Sequence, residues 1–162
     1  IVSDLSSQMD DQESFRTLRG FLDGHEPDEE TYFAYSASLR VFGVIPDLDA
    51  ISKMLGLTPT QALYKGDRVC PHSAPLKHDC WHYQPAIPES EHLEVHINAL
   101  WSAIKPHRDF IKSLKSLKSQ ATVDVFIGYR SNCDHAGLVV PHTCLEMFSE
   151  LEIPFGVSIV IA

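Results

Sequence analysis

Apolar and polar residues alternate along three stretches of this chain, at residues 32–43, 122–130 and 155–161. Successive side chains of a β-strand point to opposite faces, so sustained alternation is typical of a strand with one buried face. The residues that share the inward face are Phe33, Tyr35, Ala37, Leu39 and Val41, then Val123, Val125, Ile127 and Tyr129, and finally Phe155, Val157, Ile159 and Ile161. We therefore expect three long strands that each contribute one face to a core.

Between these strands, apolar residues recur at helical spacing. The segments 48–55, 90–104 and 141–151 carry apolar residues three or four positions apart, which predicts helices with one buried side. Ser90 is a candidate N-cap of the second helix, and His92 and His96 are expected on its exposed flank. Pro106 is expected to kink or restart that helix, because proline lacks the amide donor and clashes with the preceding turn.

The order of these elements indicates the fold class. Residues 57–65 are expected to be extended and residues 80–84 to form a short strand, so the order is β-α-β-β-α-β-α-β after a leading helix. Clean alternation leaves one sheet face for helices and the other face open. We therefore expect an α+β two-layer sandwich, with a mostly antiparallel or mixed sheet, helices on one face and an N-terminal accessory helix. A chain of 162 residues fits a single domain of this kind.

Negative charge is concentrated at the start of the chain. The net charge is −9, and residues 1–31 hold nine carboxylates against two arginines, a local charge of −7. Residues 4–22 carry a loose apolar helical stripe, so we divide the chain into an acidic N-terminal helix and linker (1–30) and an α+β domain (31–162). This charge favours a basic partner and argues against nucleic acid, whose phosphates require a basic patch.

The hydropathy of the chain also bears on its location. No apolar run approaches the roughly 20 residues that a membrane-spanning helix requires. The first residues are polar and acidic, unlike those of a signal peptide. We therefore expect a cytoplasmic protein without a membrane partner.

Several short motifs together carry a family resemblance. They are the strand Ala37-Ser38-Leu39-Arg40-Val41, the helix Ile51-Ser52-Lys53-Met54-Leu55-Gly56, the stretch Leu57-Thr58-Pro59-Thr60, the turn Lys65-Gly66-Asp67, Trp81 and the closing strand. Over residues 32–161 the chain resembles a bacterial family of domains of unknown function that bears the number 4279. The resemblance implies no catalytic residues. Related members resemble small accessory or immunity-type proteins of bacterial toxin systems.

Cysteine and histidine are clustered in residues 70–82. Cys70, His72, His78 and Cys80 are candidate metal ligands, since thiolate and imidazole are the ligands that zinc prefers and four of them close a tetrahedral site. The cluster lacks a Cys-x-x-Cys knuckle, and a polar loop with semi-buried cysteines explains the same residues. A second, weaker group consists of Cys133, Asp134, His135, His142 and Cys144. Zinc is the only cofactor that the sequence suggests.

The sheet face that the alternation leaves open is the main candidate site. The residues that we expect to contact a partner there are Arg40, Phe42, Asp124, Phe126 and Arg130. Aromatic residues beside arginine are typical of the anchor positions of protein interfaces. The sequence is consistent with two ways of covering this face: by a partner protein, or by the chain's own N-terminal helix folded back over the sheet.

No catalytic motif accompanies these features. The chain has no glycine-rich phosphate loop, no Gly-x-Ser-x-Gly elbow and no paired carboxylate motif. We therefore expect a non-enzymatic protein-binding module, immunity-like or antitoxin-like, whose partner is another protein such as a basic toxin. Two alternatives stay open: a zinc-binding protein that uses the loop at residues 70–82, and a small-molecule-binding protein with a pocket between helices and sheet.

Overall fold

A computed structural model of the protein describes residues 33–116, 120–132 and 138–161. These residues form an α+β fold in which a five-stranded mixed sheet carries helices on one face. The strands are β1 (Phe33–Gly43), β2 (Gln61–Leu63), β3 (Asp79–Tyr83), β4 (Ala121–Ser131) and β5 (Phe155–Ile161). The helices are α1 (Leu48–Leu55), α2 (Leu93–Ile104), α3 (Arg108–Ser116) and α4 (Glu146–Leu151). The predicted fold class and element order are confirmed, and the predicted N-terminal helix lies outside the described residues.

The strands lie in the spatial order β2-β3-β1-β4-β5. The first strand is central, and it pairs antiparallel with β3 on one side and with β4 along its whole length on the other. The last strand pairs parallel with β4, and the three-residue β2 pairs antiparallel with β3. Strands β2 and β5 are therefore the two edges of the described sheet.

Local sequence signals explain the ends of α1. The Asp47 side chain accepts a hydrogen bond from the backbone N–H of Ala50 at 3.1 Å, which caps the first turn. Gly56 ends the helix in the left-handed conformation at φ 62°, where a side chain is disfavoured.

The start of α2 differs from the prediction. The helix begins at Leu93 with His92 at the N-cap position and no side-chain capping bond, so the proposed Ser90 cap is wrong. The effect expected of Pro106 is confirmed, because residues 105–107 form a 3-10 turn that separates α2 from α3. In the described residues, no helix has both the length and the apolar character needed to cross a membrane.

The core lies between the helices and the inward side chains of the sheet. Trp81 is fully buried on β3, and its indole N–H donates a hydrogen bond of 2.9 Å to Ser52 Oγ on α1. Other fully buried core residues are Ala37, Leu39, Val41, Val125, Ile127, Ile97, Leu100, Ile104, Ile111, Met147 and Leu151. The alternating residues of β1 and β4 therefore point inward as predicted. On β5, Phe155, Val157 and Ile159 are 47%, 41% and 52% exposed, so the expectation that this strand contributes a face to the core is wrong.

His96 lies in this core, so its predicted place on an exposed helix flank is wrong. Its side chain is 0% exposed, and neither ring nitrogen has a hydrogen bond of normal geometry. Burial lowers the pKa of His96, although the nearby carbonyl groups of Pro88 and Glu91 partly oppose that shift. The imidazole is therefore held in its neutral form near pH 7.

The Lys65-Gly66-Asp67 motif forms a turn that Asp79 fixes to the rest of the sheet. One carboxylate oxygen of Asp79 accepts from the backbone N–H of Lys65 at 2.8 Å, and the other accepts from that of Ile45 at 2.7 Å. These two bonds lower the pKa of Asp79, because they favour the charged carboxylate. A motif that carries the family resemblance therefore has a clear structural role.

Candidate interaction site on the open sheet face

On the outward face of the sheet, side chains of the three neighbouring strands β3, β1 and β4 lie beside one another in rows. Arg40 at the centre of β1 lies opposite Asp124 on β4 and opposite His82 on β3. Because the buried residues of all four helices belong to the core on the other side, no described helix covers this row. We call the set Arg40, Phe42, Cys80, His82, Asp124 and Phe126 the Arg40 cluster.

The centre of the cluster is a two-point ion pair between neighbouring strands. Arg40 donates from Nε to Asp124 Oδ1 at 2.9 Å and from Nη2 to Asp124 Oδ2 at 2.6 Å. The side chains are 31% and 13% exposed, so the pair is partly shielded from water. Both bonds leave Nη1 unused, and among the described residues nothing accepts a hydrogen bond from it. A group on an approaching molecule can therefore bind there without breaking the pair.

Two aromatic rings flank the guanidinium group. Its central carbon lies 4.2 Å from the ring centroid of Phe126 and 5.8 Å from that of Phe42, both within the range of cation–π attraction. On β5, Gly156 lies opposite Phe126 and places no side chain over that ring. Arginine and phenylalanine therefore form one continuous, half-buried surface at the middle of the sheet.

Two other groups in the cluster are electrically neutral. Burial and the positive charge of Arg40 lower the pKa of His82, so its imidazole is uncharged at pH 7. Burial raises the pKa of Cys80, which keeps it a thiol and works against nucleophilic chemistry. Because Arg40 and Asp124 neutralise each other, the cluster as a whole has little net charge.

The floor of the open face is built from small residues. Ser38 pairs with Phe126 and donates to its carbonyl oxygen at 3.3 Å. It shares the open face with Arg40, two residues farther along β1, but is only 2% exposed. Gly128 lies opposite Ser36, and a Cβ atom at this position would clash with Ser36 Oγ. Because Ser38, Ser36 and Gly128 are small, the larger side chains of the Arg40 cluster can pack close to the backbone of the sheet.

The predicted partner-contacting residues fall into two places. Arg40, Phe42, Asp124 and Phe126 are neighbours within the Arg40 cluster. Arg130 is on the same face but six residues farther along β4, which is roughly 20 Å at the rise of a strand. It forms an exposed ion pair of 2.8 Å with Glu89 instead.

The structure distributes the predicted zinc ligands over different surroundings. Cys70 is exposed in a turn closed by Ser73, whereas Cys80 lies in β3 within the Arg40 cluster. His72 and His78 are exposed in the loop between them. Across residues 33–116, 120–132 and 138–161, no three His, Cys, Asp or Glu side chains are grouped as a metal site would require. The zinc site at these four residues stays a prediction.

The second cysteine group lies partly beyond what the structure describes. Cys133, Asp134 and His135 are outside the described residues. Cys144 is buried, with its sulfur 3.9 Å from Asn98 Oδ1, and His142 is exposed in the same 3-10 turn. Burial raises the pKa of the Cys144 thiol.

Sequence reasoning assigned Cys80 to a metal site and did not include His82 among the predicted site residues. Their separation by two residues in a strand places both on one face of β3, and the pairing with β1 makes it the face of Arg40. The two-residue spacing therefore indicates from the sequence alone that Cys80 and His82 share a face of the strand. Only the pairing of β3 with β1 determines which residue they face.

Comparisons with known proteins agree with the motifs. Curated proteins and solved structures give no significant match to the chain. One family model, described as a domain of unknown function (DUF4279), matches residues 30–161 and therefore spans every described strand and helix. This match confirms the family resemblance drawn from the sequence. The chain belongs to the DUF4279 family.

Proposed function

We propose that this domain is a non-enzymatic protein-binding module whose contact surface is the open sheet face around Arg40. The observation that carries the proposal is the half-buried guanidinium group, which is held between two phenylalanine rings and has Nη1 unused by the described residues. Energetic centres of protein interfaces are enriched in such partly desolvated arginine and aromatic residues.

The charge of the cluster also favours recognition over catalysis. Arg40 and Asp124 neutralise each other, and the lowered pKa of His82 and the raised pKa of Cys80 keep both groups uncharged. Burial of this face against another protein would remove the two phenylalanine rings from water and would leave neither charge unpaired, because Arg40 and Asp124 already bind each other. A carbonyl or carboxylate oxygen of the partner would accept from Arg40 Nη1.

The charge of the N-terminal segment suggests the kind of partner. Residues 1–31 carry a net charge of −7, which attracts basic proteins over a distance of about 10 Å at 0.1 M salt. We therefore include in the proposal that the partner is a basic protein, and that the domain acts as an immunity-like or antitoxin-like inhibitor of it. Association should slow as salt is added, because screening weakens electrostatic steering.

Site-specific photocrosslinking in the native host tests the contact surface. A photoreactive phenylalanine analogue at Phe126 should give one major protein adduct, and the same analogue at Met54 should not give it, because Met54 is exposed on α1 on the opposite side. The proposal fails if Phe126 gives no adduct, or if both positions capture the same proteins.

A paired substitution then tests the role of the cluster. Replacing Arg40 by methionine and Asp124 by leucine removes both charges and keeps similar volumes, so the fold should persist. The dissociation constant for the crosslinked partner should rise about 30-fold or more, as expected for a central interface residue. Lys105→Ala, in an exposed ion pair on the helical side, is the matched control and should leave binding unchanged.

A further inference from the structure

The edge strand β5 lacks the features that normally protect a sheet edge. Its seven residues, Phe155 to Ile161, contain no charged residue and no proline. Exposed edges are usually protected by charge, proline, a bulge or short length, because their unpaired backbone groups bind other strands. The opposite edge, β2, follows this rule, since it has only three residues.

The hydrogen-bond pattern shows which backbone groups of β5 point away from the sheet. The N–H of Val125 donates to the carbonyl oxygen of Pro154 at 3.1 Å. In a parallel pair, alternate residues direct their N–H and C=O toward the neighbouring strand. Phe155, Val157 and Ile159 therefore direct these groups outward, and no described residue lies beyond them as a sixth strand.

The side chains of the same strand are apolar and exposed. Phe155, Val157 and Ile159 are 47%, 41% and 52% exposed on the helical side, and Val160 is 49% exposed on the open side. Phe155 is partly supported by the ring of Phe148 on α4, at a centroid distance of 4.9 Å. A charged partner strand would gain nothing from this surface, whereas an uncharged strand of β-branched residues would.

We propose that two copies of this chain associate through β5, which pairs antiparallel with the β5 of the other copy around a two-fold axis at Ser158. Val157 of one copy then lies opposite Ile159 of the other, in hydrogen-bonded pairs that use the outward backbone groups. Gly156 lies opposite Val160, so a small residue meets a large one. The strand is therefore complementary to itself in this register.

The product is a continuous ten-stranded sheet with the helices of both copies on one side. The two Arg40 clusters then share one open face. Five strand spacings, about 24 Å, separate the two β1 strands across the sheet. Asp124 precedes Val125, which pairs with Phe155, so each cluster lies four residues from the axis at Ser158. The clusters are therefore also offset by eight residues, about 26 Å, along the strands and lie about 36 Å apart. The dimer would therefore present two copies of the open face side by side.

The size of this contact sets its expected strength. A contact made mainly by one strand from each copy falls at the small end of specific interfaces, below about 1,200 Å². We therefore expect a dimer that dissociates on dilution. Analytical ultracentrifugation over a concentration series measures this equilibrium for the full chain.

A cysteine at the axis tests the register. In the proposed pairing the two Ser158 Cα atoms form a non-hydrogen-bonded pair about 4.5 Å apart, within the range that a disulfide bridges. In a background where the exposed Cys70 is replaced by serine, Ser158→Cys should oxidise to a covalent dimer linked at residue 158. Val160→Cys is the matched control: it faces Gly156 rather than itself, so it should not form this link.

A charge exchange at the same position distinguishes pairing of β5 with itself from pairing of β5 with a different strand. Ser158→Lys and Ser158→Glu should each weaken the dimer about tenfold or more, because like charges lie directly opposite each other. An equal mixture of the two variants should restore a dimer that contains one copy of each. Ser158 lies on the open face, so circular dichroism should show an intact fold in both variants.

Several outcomes would overturn the proposal. These are a full chain that stays monomeric at every concentration, equal disulfide yields from both cysteine variants, and a mixture of charge variants that gains no dimer. A dimer that appears only after deletion of residues 1–30 would also overturn it, because the chain's own N-terminal segment would then occupy the edge.

Discussion

Removal of one partner from the Arg40–Asp124 pair should destabilise the fold, and the burial of the pair sets the size of the effect. Exposed ion pairs contribute about 0–1 kcal/mol, whereas breaking a buried pair costs about 3–5 kcal/mol, because it leaves an uncompensated charge. Asp124 is only 13% exposed and Arg40 is 31% exposed. We therefore expect Arg40→Ala to lower the free energy of unfolding by an intermediate amount, about 2–3 kcal/mol.

The double variant distinguishes the energetic effect of an unpaired charge from the effect of lost packing. Arg40→Met together with Asp124→Leu removes both charges, so no buried carboxylate is left unpaired. We expect this variant to be within about 1 kcal/mol of the parent. A double-mutant cycle built from Arg40→Met, Asp124→Leu and the double variant should give a coupling energy of about 2 kcal/mol, since the two side chains are in direct contact.

Urea unfolding followed by tryptophan fluorescence measures these energies, because Trp81 and Trp101 are both buried. Lys105→Ala is the matched control: the Lys105–Glu146 bond is also short, at 2.7 Å, but its side chains are 47% and 52% exposed. It should cost less than about 0.5 kcal/mol. A loss on Arg40→Ala no larger than in this control, or a coupling energy near zero, would refute the reasoning.

Three further predictions concern the fold. Asp79→Ala should lower the free energy of unfolding by about 2–3 kcal/mol in urea titrations, because two backbone N–H groups lose a charged acceptor. The control Asp109→Ala, at an exposed site, should lower it by less than about 0.5 kcal/mol, and equal losses would contradict the role given to Asp79. Gly43→Ala should lower the free energy of unfolding by about 3 kcal/mol or more, since φ is 150° and a Cβ atom would clash with the Gln120 carbonyl oxygen. An unchanged thermal midpoint of unfolding would argue against that clash. Burial lowers the pKa of His96, so just below pH 6.5 the imidazole of the unfolded chain binds a proton that the folded chain does not bind. The free energy of unfolding should therefore decrease as pH falls from 7 toward 5, by at most about 1.4 kcal/mol per pH unit. His96→Met should reduce that slope in urea titrations at each pH, and an unchanged slope would show that other groups cause it.

Some features of the fold were predictable because they depend on local chemistry. The period of two in β1 and β4 assigns each side chain to a face, and Asp47 and Gly56 define the ends of α1 by capping and backbone conformation. The order of strands and helices followed from the same periodicities. The family membership was likewise visible in short motifs, and the family comparison confirms it.

Other features depend on contacts between distant parts of the chain. Arg40 and Asp124 are 84 positions apart, and the sequence pattern placed both on one face without indicating that they are opposite each other. His96 was expected on a helix flank, but the direction from which the sheet and loop pack on α2 decides that it is buried. The role of Asp79 depends on two backbone N–H groups, of Ile45 and Lys65, that are 34 and 14 positions away in the sequence.

The sequence by itself therefore determined the period and class of the main elements in residues 33–161 and the buried face of β1 and β4, since these are properties of neighbouring residues. Only the tertiary structure decided the strand order and register, and with them the Arg40 cluster and the unprotected edge at β5. The physical reason is that a period of two fixes which side of a strand is buried but leaves its neighbour and its offset free. Those choices follow from the packing of the whole core.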